Sequence, residues 1–294
     1  MARSHTELGV RAGIAAARIV AKTLSPLDIR SLRRLGIALG DLALRADGRS
    51  ARVTRTNIDL VYAESEAAWR QELVRDSLRH TAMTLAEAVA MWTWPVPRVA
   101  DLLQGVEGDL RLRPGTLVIA PHLGNWEYLG YYLNTVAPLT ALYQRPASDA
   151  VDRALTAARG RFGTRSAADS VAGLRRIVKA LRTGGLVIVL PDQVPNGYAG
   201  VSAPFFGQPA ITMSLVSRLL QRVDADVVIA AIMRVDGGFK LHIDAVDDAL
   251  RDPDPAVSIR TMNAAIESLV ARDPAQYQWE YKRFRSRERP GLYD

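Results

Sequence analysis

The 294-residue sequence contains no cysteine. That excludes disulfides and thiolate-bound zinc and fits a reducing compartment. Although 48% of the residues are hydrophobic, no uninterrupted apolar run approaches the ~18 residues that a membrane-spanning helix needs. A short charged-then-apolar leader ending in a cleavage site is also missing, which argues against a secreted precursor. No helix-turn-helix, zinc-finger or aromatic RNA-binding signature is present, so nucleic acid is not expected as a partner. There is no Gly-x-Ser-x-Gly elbow either, and without cysteine a covalent enzyme intermediate is disfavoured. Internal repeats, low-complexity tracts and composition breaks marking a linker are absent as well, and one continuous domain is expected.

Charge is present and unevenly placed. The net charge is +7, and residues 1–55 alone carry eleven Arg or Lys against four Asp or Glu. The remainder is balanced, so the surplus points to an anionic partner met by the N-terminal part: a membrane surface or an acidic carrier protein.

Residues 1–100 read as a helical, membrane-facing region and residues 101–294 as an α/β core. In 8–24, Val10, Ile14, Ala17, Ala21 and Leu24 recur at helical spacing with Arg11, Arg18 and Lys22 on a second face, a pattern suited to a lipid headgroup layer or to an ordinary surface helix. Ser25-Pro26-Leu27-Asp28 caps a second helix over 27–45, ended by Asp47-Gly48. Further helices are expected over 50–62 and 64–91, the latter burying Trp69, Leu73, Leu78, Met83, Leu85 and Val89. The Trp92 and Trp94 pair that follows suits either a headgroup layer or a packed loop.

From Leu110 onward strand-like and helix-like segments alternate. Strands are expected over 116–120, 139–144, 186–190 and 227–235, and helices over 126–136, 149–162, 171–182 and 212–222. A last strand, 239–246, pairs antiparallel with its predecessor through Asp236-Gly237-Gly238. The alternation predicts an α/β fold with a mainly parallel central sheet flanked by helices, and a helical N-terminal region.

The chemistry is expected at Leu117-Val118-Ile119-Ala120-Pro121-His122-Leu123-Gly124-Asn125-Trp126-Glu127. A β-branched run ends in Pro-His, and a Gly-Asn pair opens a helix; such turns carry the sites of α/β folds. Four residues separate His122 from Glu127, so a carboxylate in the first helical turn can reach one imidazole nitrogen and leave the other to take a proton from a hydroxyl. Of the other histidines, His5 falls in an N-terminal tip expected to be disordered, His80 in the helical region and His242 in a late strand. Asp192 ends the apolar run 186–191, at the same sheet edge as His122. It can bind an acceptor hydroxyl, hold an arginine or cap a turn. Pro204-Phe205-Phe206-Gly207 suits the lining of an apolar pocket or the core equally.

His122-Leu123-Gly124-Asn125-Trp126-Glu127, Tyr143-Gln144-Arg145-Pro146, Leu190-Pro191-Asp192-Gln193, Pro204-Phe205-Phe206-Gly207 and Trp279-Glu280-Tyr281-Lys282-Arg283-Phe284 occur in an order that resembles the lipid A biosynthesis lauroyl/myristoyl acyltransferases. These belong to the lysophospholipid acyltransferase superfamily. The resemblance runs from Arg52-Val53-Thr54-Arg55-Thr56-Asn57 to the C-terminus. It implies a glycerolipid acyltransferase-like fold and transfer of a fatty acyl chain from an acyl carrier protein or coenzyme A thioester to a hydroxyl of a lipid or glycolipid. The setting it implies is the cytoplasmic face of a bacterial inner membrane, with peripheral or monotopic attachment. His122 matches the family's general base and Glu127 its orienting carboxylate. Arg159, or Arg161 two residues on, matches a functional arginine, and Asp192 a functional aspartate; Asn125 is assigned with these three to substrate binding. No metal or resident cofactor is implied. The basic, aromatic terminal segment is expected either to meet a phosphate-bearing lipid or carrier or to be a solvated tail.

Two readings from other classes are a non-catalytic lipid-binding protein on the same fold and a serine hydrolase. An acceptor other than lipid A, such as an amine or small metabolite, is a third variation.

Overall fold

The computed structural model describes residues 2–108, 112–195 and 200–294, and side chains from residue 9 onward. His5 and Leu110 therefore lie outside the described side chains. Four helices come first: α1 (Ala2–Leu24), α2 (Ile29–Arg45), α3 (Arg49–Val61) and α4 (Ala67–Thr93). The Asp28 carboxylate accepts from the Ser31 N–H at 2.7 Å and so starts α2, satisfying one of the donors a helix leaves unpaired at its start. Gly36 and Gly40 let α2 lie directly on α4, where a Cβ would come within 2.6 Å of the Met83 backbone or 2.5 Å of that of Arg79.

After the short α5 (Val96–Ala100) the chain runs β1 (Leu103–Glu107), β2 (Leu117–Ile119), α6 (Trp126–Val136), β3 (Leu139–Tyr143), α7 (Asp149–Gly160), β4 (Arg165–Ala168), α8 (Val171–Arg182) and β5 (Leu186–Val189). A separate hairpin, β6 (Val201–Phe205) and β7 (Gln208–Thr212), precedes α9 (Leu215–Leu220), β8 (Val227–Val235), β9 (Gly238–Ala245) and α10 (Pro255–Val270). Seven strands form one sheet in the order β1-β9-β8-β2-β5-β3-β4. Every neighbouring pair is parallel except β8 with β9.

Alternation along the central strands sorts the core into two layers. Leu117, Ile119, Val187 and Val189 face the layer built by α8, α10 and the first half of α4. Val118, Ala120, Leu186 and Ile188 face the layer built by α2, α6 and the second half of α4. The mainly parallel sheet with helices on both faces and a helical N-terminal region agrees with the sequence reading. β1 and β4, which that reading omits, are the two sheet edges; being half solvated, they need no apolar run. Residues 212–222 yield a helix of only six residues, because β7 takes the first of them.

Two expected core positions of α4 are surface positions: Trp69 is 40% and Leu85 72% exposed. The helix is 27 residues long and changes layers midway, so one helical stripe cannot describe its buried face throughout. The tryptophan pair divides: Trp94 is buried and donates from its indole N–H to the Ser25 carbonyl at 2.9 Å, whereas Trp92 is 42% exposed.

The terminal segment is not a solvated tail. Trp279, Arg283 and Phe284 are fully buried. Asn57, itself buried, donates to the carbonyls of Trp279 and Tyr281 at 2.6 and 2.7 Å. Arg283 donates to the Ile211 carbonyl and the Thr212 hydroxyl. Phe205 lies in the same core, so the Pro204–Gly207 corner is a packing element and not a pocket wall. Among the described residues no helix is long and apolar enough to cross a membrane.

Candidate active site

The site follows from strand register. β2 and β5 pair in parallel with Ile119 opposite Val189, and three residues beyond each partner stand His122 and Asp192. Parallel strands bring both chain exits to one sheet edge. The Asp192 carboxylate accepts from the His122 backbone N–H at 2.8 Å and meets imidazole Nδ1 at 2.7 Å. The carboxylate is 1% exposed and the imidazole 17%. Burial pushes the Asp192 carboxyl up, but the His122 charge and hydrogen bonds more than offset it, and the group lies below the ordinary carboxylate value. An ionised carboxylate there places the imidazole proton on Nδ1 and leaves Nε2 as the basic nitrogen. The Trp126 ring, edge-on at 5.1 Å, packs against the imidazole.

The turn between β2 and α6 is fixed from three directions. Gly124 has φ +66°, and a Cβ on it would collide with the Ile232 carbonyl. Its N–H donates to the Gln276 carbonyl at 3.0 Å, and the Gln278 N–H donates to the His122 carbonyl at 3.0 Å. Asn125 caps α6 by accepting from the Tyr128 N–H at 2.9 Å, and its amide donates to buried Glu87 at 2.8 Å. Glu87 also pairs with Arg33 at 2.7 Å and Arg234 at 2.9 Å.

Several sequence assignments change with this geometry. The carboxylate on the imidazole is Asp192, not Glu127. Glu127 turns to Arg159, whose guanidinium donates to it at 2.6 and 3.2 Å. The reason is directional: a side chain in the first turn of α6 points along the helix surface toward α7, whereas Asp192 leaves the neighbouring strand beside His122. Burial opposes the charge on Arg159, yet Glu127 outweighs it and the group lies above the ordinary arginine value. Of the two candidate arginines, Arg159 lines the cavity, while Arg161 ties down the end of α4 by donating to the carbonyls of Met91 and Trp94. Asn125, expected to meet substrate, is 1% exposed and belongs to the scaffold. The sequence reading missed Glu87, Arg234 and Gln276 as supports. Glu87 lies in a helical stretch among alanines, and only the buried charge at an apolar position hinted at it.

A cavity of about 430 Å³ opens beside His122, within the size range of small-ligand sites, about 300–1,000 Å³. Glu127, Arg159, Gln193 and Arg218 are part of its polar wall; Tyr131, Leu139, Leu142, Leu155, Phe162 and Leu215 are part of the apolar one. A base at the mouth of an apolar cavity can deprotonate a hydroxyl next to a chain held in that cavity.

These features place a hydrogen-bonded His122–Asp192 pair beside a cavity at one edge of an α/β sheet. The chain matches the family described as bacterial lipid A biosynthesis acyltransferase over residues 3–286, and it belongs to that family of acyltransferases. It is 27% identical over 262 residues to the lipid A biosynthesis palmitoleoyltransferase of Escherichia coli K12, covering 86% of this chain and 84% of that protein. Against the lipid A biosynthesis lauroyltransferase of the same organism it is 25% identical over 265 residues, covering 86% and 85%. Against the myristoyltransferase it is 25% identical over 303 residues, covering 96% and 88%.

Proposed function

We propose that the protein transfers a fatty acyl chain from an acyl carrier protein thioester, or from coenzyme A, to a hydroxyl of a lipid A-type glycolipid. The observation that carries this reading is the orientation of His122: Asp192 occupies Nδ1 at 2.7 Å, and Nε2 is left toward the cavity. The acceptor hydroxyl gives its proton to Nε2 as its oxygen bonds to the thioester carbonyl carbon. The tetrahedral intermediate then collapses, the carbon–sulfur bond breaks, and the departing thiolate recovers the proton from Nε2. Asp192 orients the ring and stabilises the imidazolium; the Glu127–Arg159 pair forms a charge-balanced polar rim.

The setting we propose is the surface of a bacterial inner membrane, on its cytoplasmic face. Exposed Ile19, Val20, Leu42 and Leu85 lie on the first four helices, and the basic surplus of the sequence falls in the same region. Apolar side chains among cations suit a layer of anionic headgroups.

The test is transfer from lauroyl-, myristoyl- and palmitoleoyl-acyl carrier protein to underacylated lipid A, read by product mass. His122→Ala is expected to abolish transfer. Asp192→Asn keeps the shape but no longer fixes the tautomer, and it is expected to lower kcat by about 10²–10⁴-fold. Full transfer by His122→Ala, or no transfer by the native chain with any donor and acceptor, would overturn the reading.

A further inference from the structure

Gln193 follows Asp192 in the sequence, and its side chain reaches the reactive nitrogen. Its amide nitrogen lies 3.4 Å from His122 Nε2 and donates to Gln278 Oε1 at 3.1 Å. Gln278 is itself anchored, its backbone N–H bonded to the His122 carbonyl at 3.0 Å. The amide is therefore held in one orientation, with one N–H on Gln278 and the other directed at the base. Chemistry demands this orientation. With the imidazole proton on Nδ1, Nε2 presents a lone pair, and an amide oxygen placed there would face it with another.

Gln193 also lines the cavity. The long contact to Nε2 is weak and yields readily to an entering hydroxyl. When that hydroxyl takes its place, the displaced N–H is freed beside the reacting centre. Two neighbouring donors are engaged: the Arg159 fork is turned to Glu127, and the Tyr128 N–H is taken by Asn125.

We propose that Gln193 is a catalytic residue that donates its amide N–H to the thioester carbonyl oxygen as it becomes an oxyanion. This rests on the acyl-transfer reading above. As the acceptor oxygen bonds to the carbonyl carbon, the carbonyl π pair moves onto oxygen and is met by the Gln193 N–H. On collapse the pair returns to re-form the carbonyl, the carbon–sulfur bond breaks and the thiolate takes the proton from Nε2. Because the contact strengthens only as negative charge develops, it lowers the barrier without tightening ground-state binding.

The test compares Gln193→Met and Gln193→Glu with the native chain and His122→Ala, using lauroyl-acyl carrier protein and underacylated lipid A. Gln193→Met keeps the length and removes the donor; kcat is expected to fall about 10²-fold, with KM unchanged within about twofold. Gln193→Glu is expected to lose as much, and the acid limb of its rate profile moves to higher pH because a carboxylate beside the imidazole favours its protonation. If Gln193→Met fails to fold by thermal melting, Gln193→Asn, whose amide stops short of Nε2, is expected to give the same loss in kcat. A folded donorless variant with kcat within about threefold of native, or a loss confined to KM, overturns the assignment. Retained transfer in His122→Ala as well overturns His122 as the base, and no transfer by the native chain overturns the acyl-transfer reading itself.

Discussion

Glu87 shows how a single buried charge can fix a reacting geometry. Its carboxylate has no solvent exposure, and it holds Arg33 from α2, Arg234 from β8 and Asn125 at the cap of α6. Removing the negative charge leaves two guanidiniums facing each other without water. Glu87→Gln is therefore expected to destabilise the protein by about 3–5 kcal/mol, the cost typical of breaking a buried ion pair from one side, as read by denaturant unfolding. His122, by contrast, was legible without coordinates, because Pro121 and Gly124 bracket it at the end of an apolar run. Its partner was not, since Glu127 and Asp192 are both carboxylates at one sheet edge and only direction separates them.

At the scale of elements, the N-terminal region depends on the seam between α2 and α4. Gly36 and Gly40 remove side chains where the two backbones approach. Gly36→Ala places a methyl group against the Met83 backbone, which cannot move aside as a flexible side chain would. A loss of about 1–3 kcal/mol is expected, together with a lower thermal midpoint. The same substitution at Gly105, where a Cβ meets nothing within 4 Å, serves as the control and should leave the midpoint nearly unchanged. The central strands and most helix limits could be read from periodicity. The edge strands and the β6–β7 hairpin could not, because their burial comes from neighbours and not from a continuous apolar run.

Across the whole molecule, stability is tied to pH through a histidine outside the reaction. His80 on α4 is largely buried, its Nδ1 has no partner, and burial first, then Arg234 and Arg33, push its pKa down to about 3. Between the ordinary value of 6.5 and that lowered one, the unfolded chain binds a proton that the folded chain refuses. The stabilisation is thus complete above pH 6.5 and is lost as pH falls toward 3, at up to about 1.4 kcal/mol per pH unit. Urea unfolding of the native chain and of His80→Phe between pH 7 and 5 should show a shallower acid slope in the variant. Equal slopes would show that His80 takes a proton in the folded state as readily as in the unfolded one.

By itself the sequence determined the alternation of strands and helices, the turn that carries His122, and the placement of positive charge toward the N-terminus, because each is a local pattern of residue types. Only the tertiary structure decided that Asp192 and not Glu127 meets the imidazole, that Arg159 and not Arg161 lines the cavity, and that Trp279, Arg283 and Phe284 are core. Those choices depend on strand register and on the direction in which a helix aims its side chains. Both are set by packing between segments far apart in the chain, and a linear pattern does not encode it.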